Sequence, residues 1–507
     1  MMDLTIGEIA KACGGQLVIQ GEKVDEGSCV SSVVIDSRLA QPQGVFIATV
    51  GEKVDGHTFI SSVFAKGAIL AVTQKTPKQV EAEAAARRGE DSADMPAEQR
   101  EESAAGECAG WGSYLLVEDT LKALKQIAEA YRKKLNIRIV GITGSVGKTS
   151  TKEFIAGVLN RRYRVLKTEG NLNNEIGVPL TLLRIRGEHE VAVVEMGISD
   201  FGEMHRLSKM VRPNVCVITN IGQSHLNHLI DRDGILRAKS EIFDYMADDG
   251  EICLNGEDDK LSPLTEVKGH RPHFFGLGGN ISEEVYMSEI TGKGLWGSEA
   301  TLVMRRNSSE DGFKAPDKIR VSIPLPGEHM VLNAAAAACV GSVLGLTQEE
   351  IAAGLSDVAA VSGRTNIIQT AHYTVIDDCY NANPASVKAA VELLAMADTK
   401  KTAILGDMLN LGEESDRYHA QAGRQAAMLG IDHILCVGEE SRHMYHGAKE
   451  QANEKQHISW FPDTETLLKA LEEDAAGLIP EGSSVLIKAS HDMNFAKILD
   501  LVLAQSD

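Results

Sequence analysis

The chain has no surplus of positive charge: 51 Lys and Arg stand against 72 Asp and Glu, a formal charge of -21. That balance opposes binding of nucleic acid or an anionic membrane over the general surface. Any phosphorylated ligand must therefore be met locally. No apolar run reaches membrane-spanning length, and Met1 to Ala10 carry Asp3 and Glu8 in place of a basic end and an apolar stretch. No Cys-x-x-Cys pair occurs. The eight cysteines, at 13, 29, 108, 216, 253, 339, 379 and 436, are dispersed and read as buried thiols of a reducing compartment. These absences predict a cytoplasmic protein with no membrane insertion and no nucleic-acid partner.

What is present is length and a phosphate cradle. At 507 residues the chain exceeds one typical core, and usual domain sizes suggest about three domains. Between Gly141 and Ser150 it reads Gly-Ile-Thr-Gly-Ser-Val-Gly-Lys-Thr-Ser, entered from the apolar run Ile137 to Ile142 and left by a helix-like segment. Gly144, Ser145 and Gly147 let backbone N–H groups close on a phosphate chain, Lys148 supplies a point charge for the β and γ phosphates, and Thr149 offers a hydroxyl to Mg2+. Ile142 stands where the general motif has its first glycine.

Short strand-like pieces (Val33 to Ile35, Val45 to Thr49, Ala68 to Thr73, Tyr114 to Val117) make the first segment a small α/β domain. Thr76 to Gly112 holds hardly any large apolar residue and is expected to be a mobile insertion without a packed core. Leu121, Leu124, Ile127, Ala128 and Tyr131 recur at helical spacing and lead to a boundary near Leu135. From Ile137 to about Val361, apolar strands alternate with helical stretches, the rhythm of a mainly parallel sheet whose ligands gather at the strands' carboxyl ends. A further set (Thr374 to Asp377, Thr402 to Leu405, His433 to Val437, Ser484 to Lys488) predicts a second α/β unit beginning near Ser362. The expected domains are 1–135, 136–361 and 362–507.

Glu195 ends the apolar strand Val191 to Val194, at the tip of a strand neighbouring the phosphate loop, and there it can hold Mg2+. Thr219-Asn-Ile-Gly-Gln-Ser-His225 ends the next strand. By composition alone His225 reads as an ordinary loop histidine and Lys239 as a surface lysine on a helix. Asn171, Asn173 and Asn174 crowd a turn suited to hydrogen-bonding a polar ligand, and Asp377-Asp-Cys-Tyr-Asn-Ala-Asn-Pro384 follows a strand, bringing Asp378, Tyr380, Asn381 and Asn383 to a second rim.

Together these stretches resemble the Mur ligase family, the ATP-dependent amide-forming enzymes of bacterial cell-wall peptide assembly, over nearly the whole chain. The family's phosphate loop, similar to Thr143-Gly-Ser-Val-Gly-Lys-Thr149, has no glycine at the place of Ile142. Leu325-Pro-Gly-Glu-His329 with Asn333, and Gly406-Asp-Met-Leu-Asn-Leu-Gly412, resemble the member that joins D-alanyl-D-alanine to UDP-N-acetylmuramoyl-tripeptide. The Asp-Asn-Pro-Arg signature of the relative that adds the third amino acid is absent. The resemblance implies a three-domain α/β fold: a small N-terminal domain, a central P-loop ATPase domain and a C-terminal Rossmann-like domain.

It further implies ATP and two Mg2+ ions, Thr149 and Glu195 holding one, His225 and a carbamylated Lys239 helping hold the other. Lys148, His225 and Lys239 become the catalytic set. Ser150 completes the phosphate loop, while Asn255, Asn333, Arg364 and Asp378 contact adenine and ribose. Ser37, Arg38, Phe46, Asp55 and His57 fall in the uridine-nucleotide site, and the Asn171 to Asn174 turn with Tyr380, Asn381 and Asn383 contacts substrate. Gln223, Ser362 and Lys488-Ala-Ser-His491 depart from the family pattern. A monomer is expected, with closure on ligands through hinges near Leu135 and Ser362. Two rivals share the loop: a folylpolyglutamate-type ligase, which should lack a uridine-binding first domain, and an ATP-driven switch that makes no amide bond.

Overall fold

The computed structural model describes residues 2–21, 24–51, 54–91, 110–223, 226–278, 282–305 and 317–505. Two compact units emerge. One comprises Met1–Ile139, Leu166–Met196 and Arg206–Arg212; the other comprises Val140–Val165, Gly197–His205 and Pro213–Asp507.

In the first unit, β1 (Gln16–Val18), β2 (Val33–Val34), β3 (Val45–Ile47), β4 (Leu70–Thr73) and β5 (Tyr114–Leu116) form a sheet in the order β1-β5-β4-β3-β2. Only the β1/β5 pairing is antiparallel. β3 and β4 are buried at every residue, as expected of strands covered on both faces. The helix Thr120–Lys134 starts where Asp119 accepts hydrogen bonds from the N–H groups of Leu121 and Lys122, and it buries Ala123, Leu124, Ile127, Ala128 and Tyr131. Pro77–Asp91 is a helix, although the sequence predicts a mobile insertion from 76 to 112. Its Ala, Glu, Lys and Arg residues are poor core formers but good helix formers, and Val80 and Trp111 join the buried cluster around Phe46 and Ile60. The rest of that segment, 92–109, lies outside the described residues.

In the second unit, β9 (Val215–Ile218) lies between the Val140–Thr143 part of β6 (Arg138–Thr143) and β10 (Glu251–Asn255), all parallel. The sheet continues through β11 (His273–Gly276) and β12 (Glu283–Gly292), also parallel, and then turns antiparallel through β13 (Ser298–Met304) and β14 (Asp317–Ile323). The first unit also holds β7 (Val165–Lys167; Val165 itself falls in the second) next to β8 (Val191–Glu195). A further sheet has the order β15-β16-β20-β17-β18-β19, with β15 (Asn366–Gln369), β16 (Thr374–Asp377), β17 (Lys401–Gly406), β18 (His433–Val437), β19 (His457–Phe461) and β20 (Ser484–Lys488). It is parallel except at β15/β16. Its two faces carry separate apolar cores, which leaves the carboxyl ends of the strands as the place for ligands. No helix among the described residues is long and apolar enough to cross a membrane.

Candidate active site

Ile142 is a fully buried residue of β6; the turn begins at Gly144, so a glycine two residues earlier would serve no geometric purpose. Gly144 has φ +150°, and a Cβ there would collide with Thr219 Oγ1. Gly147 has φ +79° and caps the helix Lys148–Leu159 without any side-chain capping bond. An uncapped N-terminus, opened by a residue in the left-handed region, presents N–H donors to an anion. Lys148 Nζ folds back on the loop, donating to the carbonyls of Gly144 at 2.9 Å and Ser145 at 3.4 Å. Thr149 is buried and Ser150 partly buried, both in the first turn.

The loop is clamped by residues that the sequence marks only as polar. Asn220 Oδ1 accepts from Val146 N–H at 3.0 Å, and the Asn220 carbonyl accepts from Ser145 N–H at 3.1 Å. Thr219 Oγ1 donates to the Val146 carbonyl at 2.7 Å, and Ser145 Oγ accepts from Gly222 N–H at 2.9 Å. Asn255 holds this clamp in turn: its Nδ2 donates to Thr219 O at 2.9 Å, and its Oδ1 accepts from Glu257 N–H at 2.9 Å. The amide expected to touch adenine or ribose is thus already engaged in shaping the loop. Asn333 reaches the same loop from the helix Glu328–Val343; its Oδ1 accepts from Thr151 Oγ1 at 3.1 Å.

Lys239, on the helix Arg232–Ser240, is 2% exposed, not the surface lysine its pattern suggests. Among the described residues it has no ion pair. Burial, reinforced by the nearby charge of Lys148, pushes its ammonium well below the usual lysine range, favouring a neutral amine. His225 lies outside the described residues. No group of three or more His, Cys, Asp or Glu among the described residues is arranged to hold a metal ion.

The rim of the last sheet is built on two adjacent acids. Asp377, fully buried, accepts from Gly363 N–H at 2.7 Å and from Cys379 Sγ at 3.1 Å. Asp378 accepts from Thr365 N–H at 3.0 Å and pairs with the buried Lys488 Nζ at 2.6 Å. The Arg364 guanidinium lies 4.0 Å from the Tyr380 ring centroid. Burial pushes the nearby His329 imidazole down against the pull of Asp378. Two residues expected at the substrate have their side-chain oxygens engaged in backbone turns. Asn383 caps the helix Pro384–Ala395 in a reciprocal box with Ser386, and Asn381 accepts from Ala382 N–H at 2.9 Å while its carbonyl accepts from Lys488.

In the first unit Glu195 closes β8 fully buried, and Asn173 Nδ2 donates to its Oε1 at 2.8 Å. Asn174 Oδ1 instead accepts from the N–H groups of Ile176 and Gly177, a turn-forming role, and the Asn171 carbonyl accepts from Asn173 N–H. Arg38 is exposed and paired with Asp36, a contact weak enough to be exchanged for a phosphate; the Ser37 carbonyl accepts from Lys66 Nζ. Phe46 is a core residue, 1% exposed, so its ring is not offered to a ligand.

His57 is likewise no free ligand contact. Its Nε2 accepts from Gln74 N–H at 3.1 Å, which leaves Nδ1–H to donate to Asp55 at 2.5 Å. Burial alone would raise the Asp55 carboxyl, but hydrogen bonds from Lys75 and His57 outweigh it and hold it at about 2. With the folded value below the ordinary 3.8, the stabilisation is complete above that value and is lost as pH falls through the folded value. Asp55→Ala is expected to cost about 2 kcal/mol at neutral pH, and the gap in thermal midpoint between variant and parent should close on acidification through that window.

Residues 30–132 match the Mur ligase family catalytic domain, 142–341 the Mur ligase middle domain, and 363–491 the Mur ligase glutamate ligase domain. A protein of Bacillus subtilis named UDP-N-acetylmuramoyl-tripeptide--D-alanyl-D-alanine ligase is 34% identical, covering 99% of each chain. The chain belongs to the Mur ligase family. The fold is similar to a crystal structure of MurF from Acinetobacter baumannii, with TM-score 0.79, 31% identity and coverage of 99% of this chain and 98% of that one. It is also similar to a MurF ligase from Thermotoga maritima in complex with ADP, with TM-score 0.71, 25% identity and coverage of 94% and 97%. As a Mur ligase the chain is an ATP-dependent enzyme that forms a C–N bond.

Proposed function

We propose that this enzyme joins D-alanyl-D-alanine to UDP-N-acetylmuramoyl-tripeptide with hydrolysis of ATP to ADP and phosphate, the last cytoplasmic step of peptidoglycan precursor synthesis. The observation that carries the reading is the uncapped helix at Gly147 with Lys148 poised on its loop, in a chain alike over its whole length to a relative of that name. Segment 1–135 takes the uridine nucleotide, 136–361 takes ATP, and 362–507 takes the dipeptide, in a monomer.

The tripeptide carboxylate attacks the γ phosphorus and the bond to ADP breaks, leaving an acyl phosphate. The dipeptide amine then attacks the acyl carbon, phosphate departs, and the amine loses its proton. Two anions must meet in the first step, so the protein's contribution is alignment and neutralisation. Lys148 and the first-turn N–H groups hold the phosphates; Arg364 and Asp378 orient the nucleoside. Mg2+, when bound, supplies further neutralisation of the phosphate oxygens. Of two such ions, we assign the Thr149 hydroxyl to one and a carbamate on Lys239 to the other, with Glu195 and His225 in the metal roles that family membership implies. The chemistry of the set fits, because a desolvated neutral amine adds CO2 to its nitrogen and releases a proton, turning a repelling cation into an anionic oxygen ligand.

The test is phosphate release with UDP-N-acetylmuramoyl-tripeptide, with and without D-alanyl-D-alanine, followed by product mass. Release that depends on the dipeptide, with a pentapeptide product, is expected. Unchanged substrate masses would remove the ligase reading, and release without the dipeptide would favour a hydrolytic switch.

A further inference from the structure

Among the described residues β19 is an edge strand paired with β18 alone, and beside it the helix Ser441–Gln451 leaves an open cavity of about 470 Å3. Its lining is Arg442, Tyr445, His446 and the strand residues Ile458 to Phe461. Three strands, β18, β17 and β20, separate it from β16 and the Asp378 rim, roughly 19 Å at the usual strand spacing. It is therefore not part of the nucleotide site described above.

Its chemistry runs against the rest of the molecule. In a chain of net charge -21, Arg442, His446 and Lys449 project from one helix, and among the described residues none of the three has an ion pair. Their contacts are with rings instead: the Arg442 guanidinium lies 5.5 Å from the Trp460 ring centroid, and Lys449 Nζ lies 5.6 Å from that of Tyr445. His446 packs edge-on to Tyr445 at 5.3 Å. Trp460 donates its indole N–H to the Gly438 carbonyl at 2.8 Å, which pins the ring and leaves its face, not its polar edge, as the binding element.

We infer that this cavity is a second ligand site, for an aromatic phosphate monoester of the nucleoside 5′-monophosphate class. A base stacks on the pinned Trp460 ring, where stacking tolerates any base. The phosphate meets the planar donor fork of Arg442 together with His446. The volume falls within the range of small-molecule sites. An acidic peptide would satisfy the cations but make no use of the Trp460 ring, and a purely apolar ligand would leave the cations without counter-charge.

The experiment reads the indole N–H signals of the full chain by 15N NMR. The three tryptophans are distinguished by single Trp→Phe variants, and AMP is the titrant. The Trp460 signal is expected to move and saturate at millimolar AMP while those of Trp111 and Trp296 stay in place. The double variant Arg442→Ala/His446→Ala should weaken the titration at least about tenfold, and Arg442→Lys should weaken it less. Adenosine alone or inorganic phosphate alone should bind more weakly than AMP.

Lys148→Ala, which removes the phosphate-loop cation, should leave the Trp460 titration unchanged, so this site and the ligase reading stand or fall separately. The inference is overturned if Trp460 does not respond, if the double variant responds like the parent, if adenosine or phosphate alone matches AMP, or if Lys148→Ala abolishes the response.

Discussion

Lys148→Ala is expected to lower tripeptide-dependent phosphate release about a thousandfold, the loss seen when one preorganised charge stabiliser is removed from a reacting centre. The ammonium is held on the loop by the Gly144 and Ser145 carbonyls, at the mouth of a helix whose first turn has no side-chain cap. A triphosphate entering there finds the cation already beside it, so little reorganisation precedes the reaction. The uridine substrate should retain its KM, because the residues assigned to it belong to segment 1–135. Stability should change little, since the variant removes contacts of a part-buried amine and leaves the Thr219, Asn220 and Ser145 clamp intact. Lys148→Arg should not restore activity, because a wide fork replaces a compact point charge in a loop closed by two glycines at positive φ. A loss of less than about tenfold would show that the helix terminus alone neutralises the phosphates.

The phosphate loop was legible because backbone geometry dictates its letters. Gly144 and Gly147 occupy conformations and close approaches that a Cβ would obstruct, and the apparent misfit at Ile142 is a buried strand position. The parallel strands β6, β9 and β10 were legible as continuous apolar runs. The antiparallel run from β12 to β14 was not, since β12 ends in exposed residues, β14 alternates, and the strands carry Glu, Ser, Lys and Arg. Side-chain roles were read least well where tertiary partners decide them. Asn220 looks like any loop amide until its three hydrogen bonds with the phosphate loop are seen. Asn383 and Asn174 look like ligand amides, and their side-chain oxygens cap backbone turns, a use for which asparagine is equally suited. His57 and Phe46 sit in a stretch that resembles a nucleotide site, yet one holds Asp55 and Gln74 together and the other fills the core. The helix Pro77–Asp91 was missed because a lack of large apolar residues argues against a core, not against a helix.

Lys239 is where a surface pattern hides a chemical role, and Lys239→Ala is expected to lower amide formation about a thousandfold. The argument starts from cost. A fully buried ammonium facing the like charge of Lys148 is unfavourable, and among the described residues no carboxylate pairs with Lys239 to offset it. Its proton is therefore released well below the usual lysine range, and an amine that has lost its proton is nucleophilic toward CO2. With 13C-bicarbonate, the parent should show one carbamate carbon signal that Lys239→Ala lacks, and activity should fall when bicarbonate is removed. Lys148→Ala removes the second-largest influence on Lys239, so the amine should regain basicity and need more bicarbonate for the same signal. Equal activity of Lys239→Ala and parent would leave burial of this lysine without a catalytic purpose. Full activity without the carbon signal would mean that the amine acts unmodified, holding a phosphate oxygen by hydrogen bond rather than a metal by an anionic oxygen.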